Sequence, residues 1–321
     1  MITGAEIRAD LSLFLRRRAF WFVYVAVFAF AGMTSWITRN AGVRVLSTIR
    51  KGLAEKGGVA DNTSGPCALL LDSWNASACL ATLGPGRHTY FGSLIEYHQL
   101  VEESVSSTSL SGALGFASRQ SASMVGFIAV TLLVALHVTS LWSSGVARPA
   151  IAALGTNRIV VLKSVTALVA PVSVLLASTL GVVVAGIVPI SEPLPAPDNL
   201  LQQSLIDAVR GYLMMCAVAL LAVAFAVLTR QLVLAFVVVM ALLALSFAST
   251  FDNALYPYSP AGWVATVMHF SADANRQVVD SFWADEYGSY SAAHMGLAMT
   301  SLVVVALGAA TLTLACRRQK A

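Results

Sequence analysis

Long apolar runs separated by shorter polar segments dominate the chain. About 20 helical residues cross the hydrocarbon core of a bilayer. Six runs reach or approach that length with almost no charge inside them: Ala19–Ile37, Ser123–Trp142, Ile159–Val188, Leu205–Leu228, Leu232–Thr250 and Met295–Ala315. The pattern predicts an all-α fold, a polytopic helical membrane protein with six transmembrane helices. Pro171 predicts a kink within the third of them.

The polar segments divide the chain between these helices. We expect a cytoplasmic interfacial helix in 1–18, transmembrane helix 1 in 19–37, an extracellular domain in 38–121, transmembrane helices 2–5 in 122–250, an extracellular loop in 251–294, and transmembrane helix 6 with a cytoplasmic tail in 295–321. The basic start and the Ala29-Phe30-Ala31 triplet would also suit a cleaved signal peptide. We favour an uncleaved first helix, because its apolar run continues past the triplet.

Residues 1–18 have the spacing of an amphipathic helix at the membrane interface. One helical face carries the apolar residues Ile7, Leu11, Phe14 and Leu15. The charged residues fall elsewhere: Arg8, Asp10, Arg16, Arg17 and Arg18. The alternative is a basic flank that only sets the orientation of the first transmembrane helix.

The longest polar segment, 38–121, is the predicted extracellular insert between helices 1 and 2. Its first part keeps apolar residues at helical spacing, so helix 1 is expected to continue outwards as an amphipathic helix. These residues are Val43, Leu46, Ile49 and Leu53. A turn-rich part with Gly57-Gly58, Gly65-Pro66 and Gly84-Pro85-Gly86 follows. A Ser/Gly-rich link is then expected to lead into helix 2.

The distribution of charge predicts the orientation. With six spans both termini lie on one side, and that side holds eleven Lys and Arg residues against two acidic residues, a net charge of +9. The opposite side holds nine basic and fourteen acidic residues, a net charge of −5, which accounts for the total of +4. Basic short loops stay in the cytoplasm. We therefore expect a multi-pass protein of the cell membrane with both termini cytoplasmic.

Several function classes lack their signatures in this sequence. It contains no phosphate-binding Gly-x-x-x-x-Gly-Lys-Ser/Thr loop, no His-Glu-x-x-His and no Gly-x-Ser-x-Gly. The basic residues flank apolar runs and are not interleaved with aromatics as in nucleic-acid binders. The predicted spans lack the paired carboxylates that relay protons in secondary transporters. We expect no nucleic-acid partner, no cofactor, no metal site and no catalytic residue in this chain.

Two features of the chain suggest local chemistry. Cys67 and Cys79 both fall in the predicted external insert, where thiols usually oxidise, and a bridge over such a loop would restrict the unfolded chain by about 3 kcal/mol. Two buried free thiols are the alternative. His137 lies inside the second predicted span. It is a possible intramembrane polar site, although a neutral histidine bonded to a neighbouring helix is the more ordinary explanation.

The segment from Ser143 to Lys163, SSGVARPAIAALGTNRIVVLK, is a polar and basic island between two apolar runs. Pro149 suits a first helical turn, the alanines that follow are good helix formers, and Gly155 suits a helix end. We expect a short helix in Ala147–Thr156 that lies along the membrane face. Ile151 and Leu154 would share an apolar face of it.

Taken together, these features resemble the permease subunit of a type-2 ABC transporter. The features that carry the resemblance are the basic interfacial helix before span 1, the Gly145-x-x-Arg148…Ala152-Ala153-Leu154-Gly155-x-x-Arg158…Lys163 loop, and the segment Ser259-Pro260-Ala261-Gly262-Trp263 before span 6. Family members often have Glu just before the loop glycine, where this chain has Ser143 and Ser144. The order of the motifs and the topology make the case.

The resemblance implies a function and partners. The permease would pair with a second permease subunit in the lipid bilayer and receive a separate ATP-binding ABC ATPase subunit at the loop after span 2. Export of a hydrophobic or amphipathic compound, such as a drug, lipid or peptide, would follow. The residues that would couple the loop to the ATPase are Arg148, Ile151, Leu154, Gly155, Arg158 and Lys163.

Other classes of function remain open. The loop's basic residues would also be explained by the charge rule for orientation alone. A secondary transporter or a channel would work without an ATPase. An intramembrane enzyme would need a polar catalytic set, which the sequence does not reveal.

Overall fold

The computed structural model describes residues 3–55, 110–145, 147–187 and 200–248, together with residue 308. This part of the chain is all-helical, as predicted, and contains no strand. The elements are α1 Gly4–Leu15, α2 Arg18–Glu55, α3 Leu110–Ser121, α4 Met124–Ser143, α5 Ala147–Leu154, α6 Thr156–Ala167, α7 Val169–Ile187, α8 Leu200–Thr229 and α9 Leu232–Ala248.

The described helices include four that are long and apolar enough to cross a membrane. These are Arg18–Asn40 in α2, Met124–Ser143 in α4, Arg158–Ile187 across α6 and α7, and Leu200–Thr229 in α8. They match the first four predicted spans. The predicted fifth span begins at Leu232 as α9, which is described as far as Ala248, and the predicted sixth lies outside the described residues. The described part of the chain is that of a helical membrane protein.

Helix α4 lies at the centre of the packed helices. Among the four candidate spans it has the largest buried share. Its inward residues Val130, Leu133 and Val134 are fully buried and belong to one continuous core. Helix α8 supplies the opposite wall of that core through Met215 and Ala219, while α2, α7 and α9 contribute at the edges. Because lipid tails are as apolar as these side chains, close packing is what favours this association.

Helices α2 and α7 approach each other through a pair of glycines. A Cβ added at Gly32 would lie 3.1 Å from the carbonyl oxygen of Gly181, and one added at Gly181 would lie 2.2 Å from the carbonyl oxygen of Phe28. Only hydrogen fits at the second position. The two backbones therefore make the small-residue contact that holds apolar helices together in a bilayer.

Helix α3 occupies the region where a Ser/Gly-rich link was expected. Its small residues serve as a packing face: Gly115 lies against Ser204, and Ser118 lies against Gly211 of α8. Arg119 donates to Asp207 at 2.7 Å across the same contact. Serine and glycine were interpreted as turn formers, whereas here they allow the helix to approach α7 and α8 closely. The link prediction was therefore wrong for residues 110–121.

Two other local predictions agree with the structure. Helix α2 continues past its apolar part to Glu55, as the spacing of apolar residues indicated. The third predicted span is broken at Leu168, between α6 and α7, three residues before Pro171. Proline lacks the N–H that would bond one turn back, so the helix is interrupted at this point.

Several helix ends meet at one end of the packed helices, which we call the basic end. It contains the α1–α2 junction at Arg17, helix α5, the start of α6 at Arg158, and the turn between α8 and α9 at Arg230. Gly155 separates α5 from α6 with φ of 78°. Glycine adopts this left-handed backbone without strain, so α5 ends one residue earlier than Gly155 and two residues before the predicted end.

The glycine contact makes a direct prediction about stability. Gly181→Ala should push α2 and α7 apart and lower the free energy of unfolding by about 1–3 kcal/mol, because the new methyl group meets a backbone carbonyl. Gly4→Ala is the matched control, since a Cβ there meets nothing within 4 Å. Thermal unfolding in detergent measures both. Equal midpoints for the two variants would contradict the contact.

Candidate functional site

Helix α1 docks on α6 through one face. Thr3 caps the helix: the Glu6 backbone N–H donates to Thr3 Oγ1 at 3.4 Å, and the Thr3 N–H donates to Glu6 Oε2 at 2.8 Å. Glu6, Asp10 and Phe14 follow one another at intervals of four residues and therefore share a face. Phe14 is fully buried on this face, whereas Leu13 and Leu15 are exposed.

Asp10 is the centre of a buried group that we call the polar cluster, consisting of Asp10, His137, Lys163 and Thr166. Lys163 Nζ donates to Asp10 Oδ1 at 2.5 Å, and Thr166 Oγ1 lies 2.8 Å from Asp10 Oδ2. The side chains of Lys163 and Asp10 are only 10% and 9% exposed. The cluster joins α1, α4 and α6 at the basic end.

His137 contacts the other three members of the cluster through Nε2. This atom lies 3.0 Å from Asp10 Oδ2, 3.0 Å from Thr166 Oγ1 and 3.3 Å from Lys163 Nζ. Nδ1 is buried and has no hydrogen-bond partner. A proton on Nε2 would be donated to the carboxylate and would leave only an unpaired acceptor at Nδ1, whereas a proton on Nδ1 would be a buried donor without a partner. The contact with Asp10 therefore favours the Nε2–H tautomer, in which the Lys163 ammonium is bonded to Asp10 Oδ1 and not to His137.

The charges within the polar cluster compensate each other. Burial alone would raise the pKa of Asp10, but the hydrogen bond from His137 and the positive charge of Lys163 outweigh it and hold that pKa well below its usual range. Asp10 is therefore ionised and balances the Lys163 ammonium. Removing either partner would leave the other as an uncompensated buried charge.

A second ion pair joins α1 to α6 nearer the surface. Arg158 Nη2 donates to Glu6 Oε2 at 2.7 Å. The backbone N–H of Thr3, together with the hydrogen bond from Arg158, lowers the pKa of Glu6 to about 2 from an ordinary value of 4.5. Since the folded-state pKa is the lower one, this contribution is complete above the ordinary value and is lost only as the pH falls towards 2. The pair therefore persists at physiological pH.

Further contacts attach the α1–α2 junction to α4. Arg17 Nη1 donates to the carbonyl oxygen of Leu136 at 3.0 Å. The Phe14 ring packs edge-on against Phe20 and against His137, with centroids 4.7 and 5.0 Å apart. Burial lowers the pKa of the Arg17 guanidinium, and the nearby Asp10 carboxylate opposes that shift. The junction is thus held by the same helix that carries His137.

The structure separates the predicted coupling residues into two groups. Arg148, Ile151 and Leu154 lie on helix α5, and Leu154 is half-buried at its last position, directly before the exposed Gly155. Arg158 and Lys163 lie on α6 and pair with Glu6 and Asp10. Lys163 is buried, so its charge is used within this chain.

Asp10 is the main residue that the sequence analysis placed incorrectly. It was assigned to the charged side of α1, away from the apolar face, yet it is buried against Lys163 and Thr166 of α6. Its positions three residues after Ile7 and four residues before Phe14 were the available signal. Lys163, an isolated lysine within an apolar run, was the corresponding signal for a buried partner.

His137 is bonded to residues of neighbouring helices, which was the more ordinary of the two explanations considered for it. Cys67 and Cys79 lie outside the described residues. Within the described part of the chain, Cys216 is a free thiol, and no group of three or more His, Cys, Asp or Glu side chains could hold a metal ion. The chemistry that the site offers is charge compensation and mechanical connection between helices.

Comparison with known proteins identified no relative of this chain. No family model matches the chain, and neither a curated protein nor a solved structure shows significant similarity to it. The class established by the fold is a helical membrane protein, and further assignment depends on the geometry at the basic end.

The polar cluster predicts a specific pattern in a double-mutant cycle. Lys163→Met and Asp10→Asn should each lower the free energy of unfolding by about 3–5 kcal/mol, because each strands a buried charge or polar group. The double variant should recover a large part of that loss. Unfolding in detergent measures all four proteins. Arg16→Gln removes an exposed charge of the same junction and serves as the control.

Additive losses would contradict the cluster. If the double variant were as unstable as the two single losses combined, the two groups would not be interacting, and the compensation of charge between α1 and α6 would be wrong.

Proposed function

We propose that this chain is the membrane-spanning permease subunit of an ATP-driven ABC transporter of the type-2 class. In this proposal the basic end faces the cytoplasm, and helix α5 docks into a separate ATPase subunit. A second permease subunit completes the transport path. ATP hydrolysis takes place on the partner, so this chain carries out no catalysis itself.

One observation carries the proposal. A short helix, α5, follows the end of a candidate span and is connected through a left-handed glycine to α6, which is itself attached to α1 by two ion pairs. Such a connection suits the transmission of force. A push on α5 would reach α6 at Arg158, and the Asp10–Lys163 and Glu6–Arg158 pairs would make α1 follow.

The charge distribution supports the orientation. Short loops rich in Lys and Arg are retained in the cytoplasm. The exposed residues of the basic end include Arg8, Arg16, Arg18 and Arg230. In this orientation the chain is a multi-pass protein of the cell membrane with its N-terminus inside.

The substrate class is argued from the described helices. The candidate spans are predominantly apolar. Asp207 and Lys163 within them pair with Arg119 and Asp10, and the buried Arg39 donates to the carbonyl oxygen of Ala185. A path beside such helices suits a hydrophobic or amphipathic compound that moves out of the cell. This part of the proposal rests on analogy with the class.

Leu154→Asp tests the docking of α5. The ATPase that copurifies with the tagged full-length chain is reconstituted with it in liposomes, and permease-stimulated ATP hydrolysis is measured. A carboxylate at the docking helix would be buried without a partner, which costs several kcal/mol. We therefore expect stimulation to fall at least about tenfold, with expression and thermal unfolding unchanged.

Ala5→Asp is the matched control, because it adds the same charge at an exposed position of α1 at the basic end. It should leave stimulation intact. If Leu154→Asp hydrolysed ATP as the unsubstituted protein does, α5 would be only a connector between spans. If no ATPase copurified, the assignment to an ATP-driven transporter would fail with it.

The polar cluster favours a second candidate function, a secondary transporter driven by protons. It places an ionised carboxylate beside a histidine and a lysine that both lie within candidate spans, and intramembrane ionisable groups often form proton relays. In that case Asp10→Asn would abolish transport driven by a pH gradient in liposomes without any ATPase. ATP-independent transport by the purified chain would favour this candidate over the first.

A further inference from the structure

A pocket at the basic end lies between three elements that all end there. It encloses about 480 Å³ and is lined by the α1–α2 junction, the last turn of α4 and the turn between α8 and α9. Two arginines, Arg17 and Arg230, line it together, and none of its lining residues is acidic. Two positively charged residues at one pocket favour an anion as its occupant.

Arg230 has features that point to a ligand. Its side chain is exposed. That side chain makes no hydrogen bond or ion pair with the described residues. It also has φ of 55°, the left-handed backbone that glycine or asparagine adopts at lower cost. Its N–H bonds to the carbonyl oxygen of Ala226, as expected for a helix cap. The turn would form more easily with glycine, so the turn itself does not require an arginine.

The remaining lining residues define the kind of anion. Ser143 and Trp142 lie at the end of a candidate span, beside Thr139, so the pocket opens at the level where a bilayer's headgroups begin. The first residues of α9 continue from the pocket as an exposed apolar face, with Val233 72%, Leu234 47% and Val237 52% exposed. A free anion would use only the polar part of this surface, whereas a lipid would use both parts.

We propose that this pocket binds the phosphate group of an anionic membrane lipid. The guanidinium groups of Arg17 and Arg230 hold the phosphate by charge-assisted hydrogen bonds, since the planar fork of arginine matches phosphate oxygens. The acyl chains lie along the exposed apolar face of α9. Anionic lipid is preferred over zwitterionic lipid because basic groups near the membrane surface are attracted to net negative charge.

Bound lipid would also connect separate parts of the fold. Arg17 donates to Leu136 and lies close to Asp10 of the polar cluster, while Arg230 belongs to the α8–α9 turn. A phosphate between them joins α1 and α4 to α9. Occupancy would therefore increase the stability of the basic end, independently of any ATPase.

Native mass spectrometry of the full-length protein in mild detergent tests the proposal. Dioleoylphosphatidylglycerol, dioleoylphosphatidylcholine and inorganic phosphate are each titrated. We expect one phosphatidylglycerol to bind more tightly than phosphatidylcholine, and Arg230→Gln to weaken that binding about tenfold, the effect of losing one charge-assisted contact. Arg18→Gln removes an exposed charge of the same junction outside the pocket, and should leave binding unchanged.

Arg230→Gly separates binding from folding. Glycine suits the left-handed turn, so the lipid-free variant should unfold at the same temperature as the unsubstituted protein or higher, yet it should lose phosphatidylglycerol binding. Equal weakening by Arg18→Gln and Arg230→Gln would overturn the proposal in favour of diffuse attraction. Binding of inorganic phosphate, dependent on Arg230, without binding of phosphatidylglycerol would overturn the lipid assignment.

Discussion

An ionised carboxylate and an ammonium group that leave water together must neutralise each other, and this requirement connects the parts of the basic end. Asp10 arrives on a short helix that precedes the first candidate span, and Lys163 lies eight residues past Gly155 on α6. Neither charge would be tolerated alone in the buried space beside His137. The pair therefore fixes the position of α1, and the outer Glu6–Arg158 pair fixes its direction.

The apolar helices around this cluster associate by a different principle. Burial from water contributes little between helices that lipid could cover equally well, so contact area and close approach decide their arrangement. The α2–α7 contact at Gly32 and Gly181 and the α3–α8 contact at Gly115 and Ser204 both place small residues where backbones meet. The result is a packed group of helices. At one end, ion pairs attach α1 to α6, the helix that follows α5.

The hydrophobic periodicity of the sequence was sufficient to predict most of the helices but not some of the contacts between them. Long apolar runs predicted α2, α4, α8 and the broken α6–α7 span, because a helix of about 20 apolar residues has the length that crosses a bilayer. The break before Pro171 followed from backbone chemistry, and Gly155 was a helix-end signal although the helix was predicted to reach Thr156. Helix α3 was missed because serine and glycine have opposite meanings in a turn and at a helix contact. Asp10 was misplaced because its burial depends on Lys163, which is distant in sequence.

The proposed function depends on α1, α5 and α6 moving as one unit, and hydrogen exchange of α1 measures that dependence most directly. The account predicts that amides of Gly4–Leu15 are protected in the unsubstituted protein, and that Lys163→Met increases their exchange while α4 stays protected. Unchanged exchange of α1 in Lys163→Met would contradict the account, because α1 would then be held by something other than the buried ion pair.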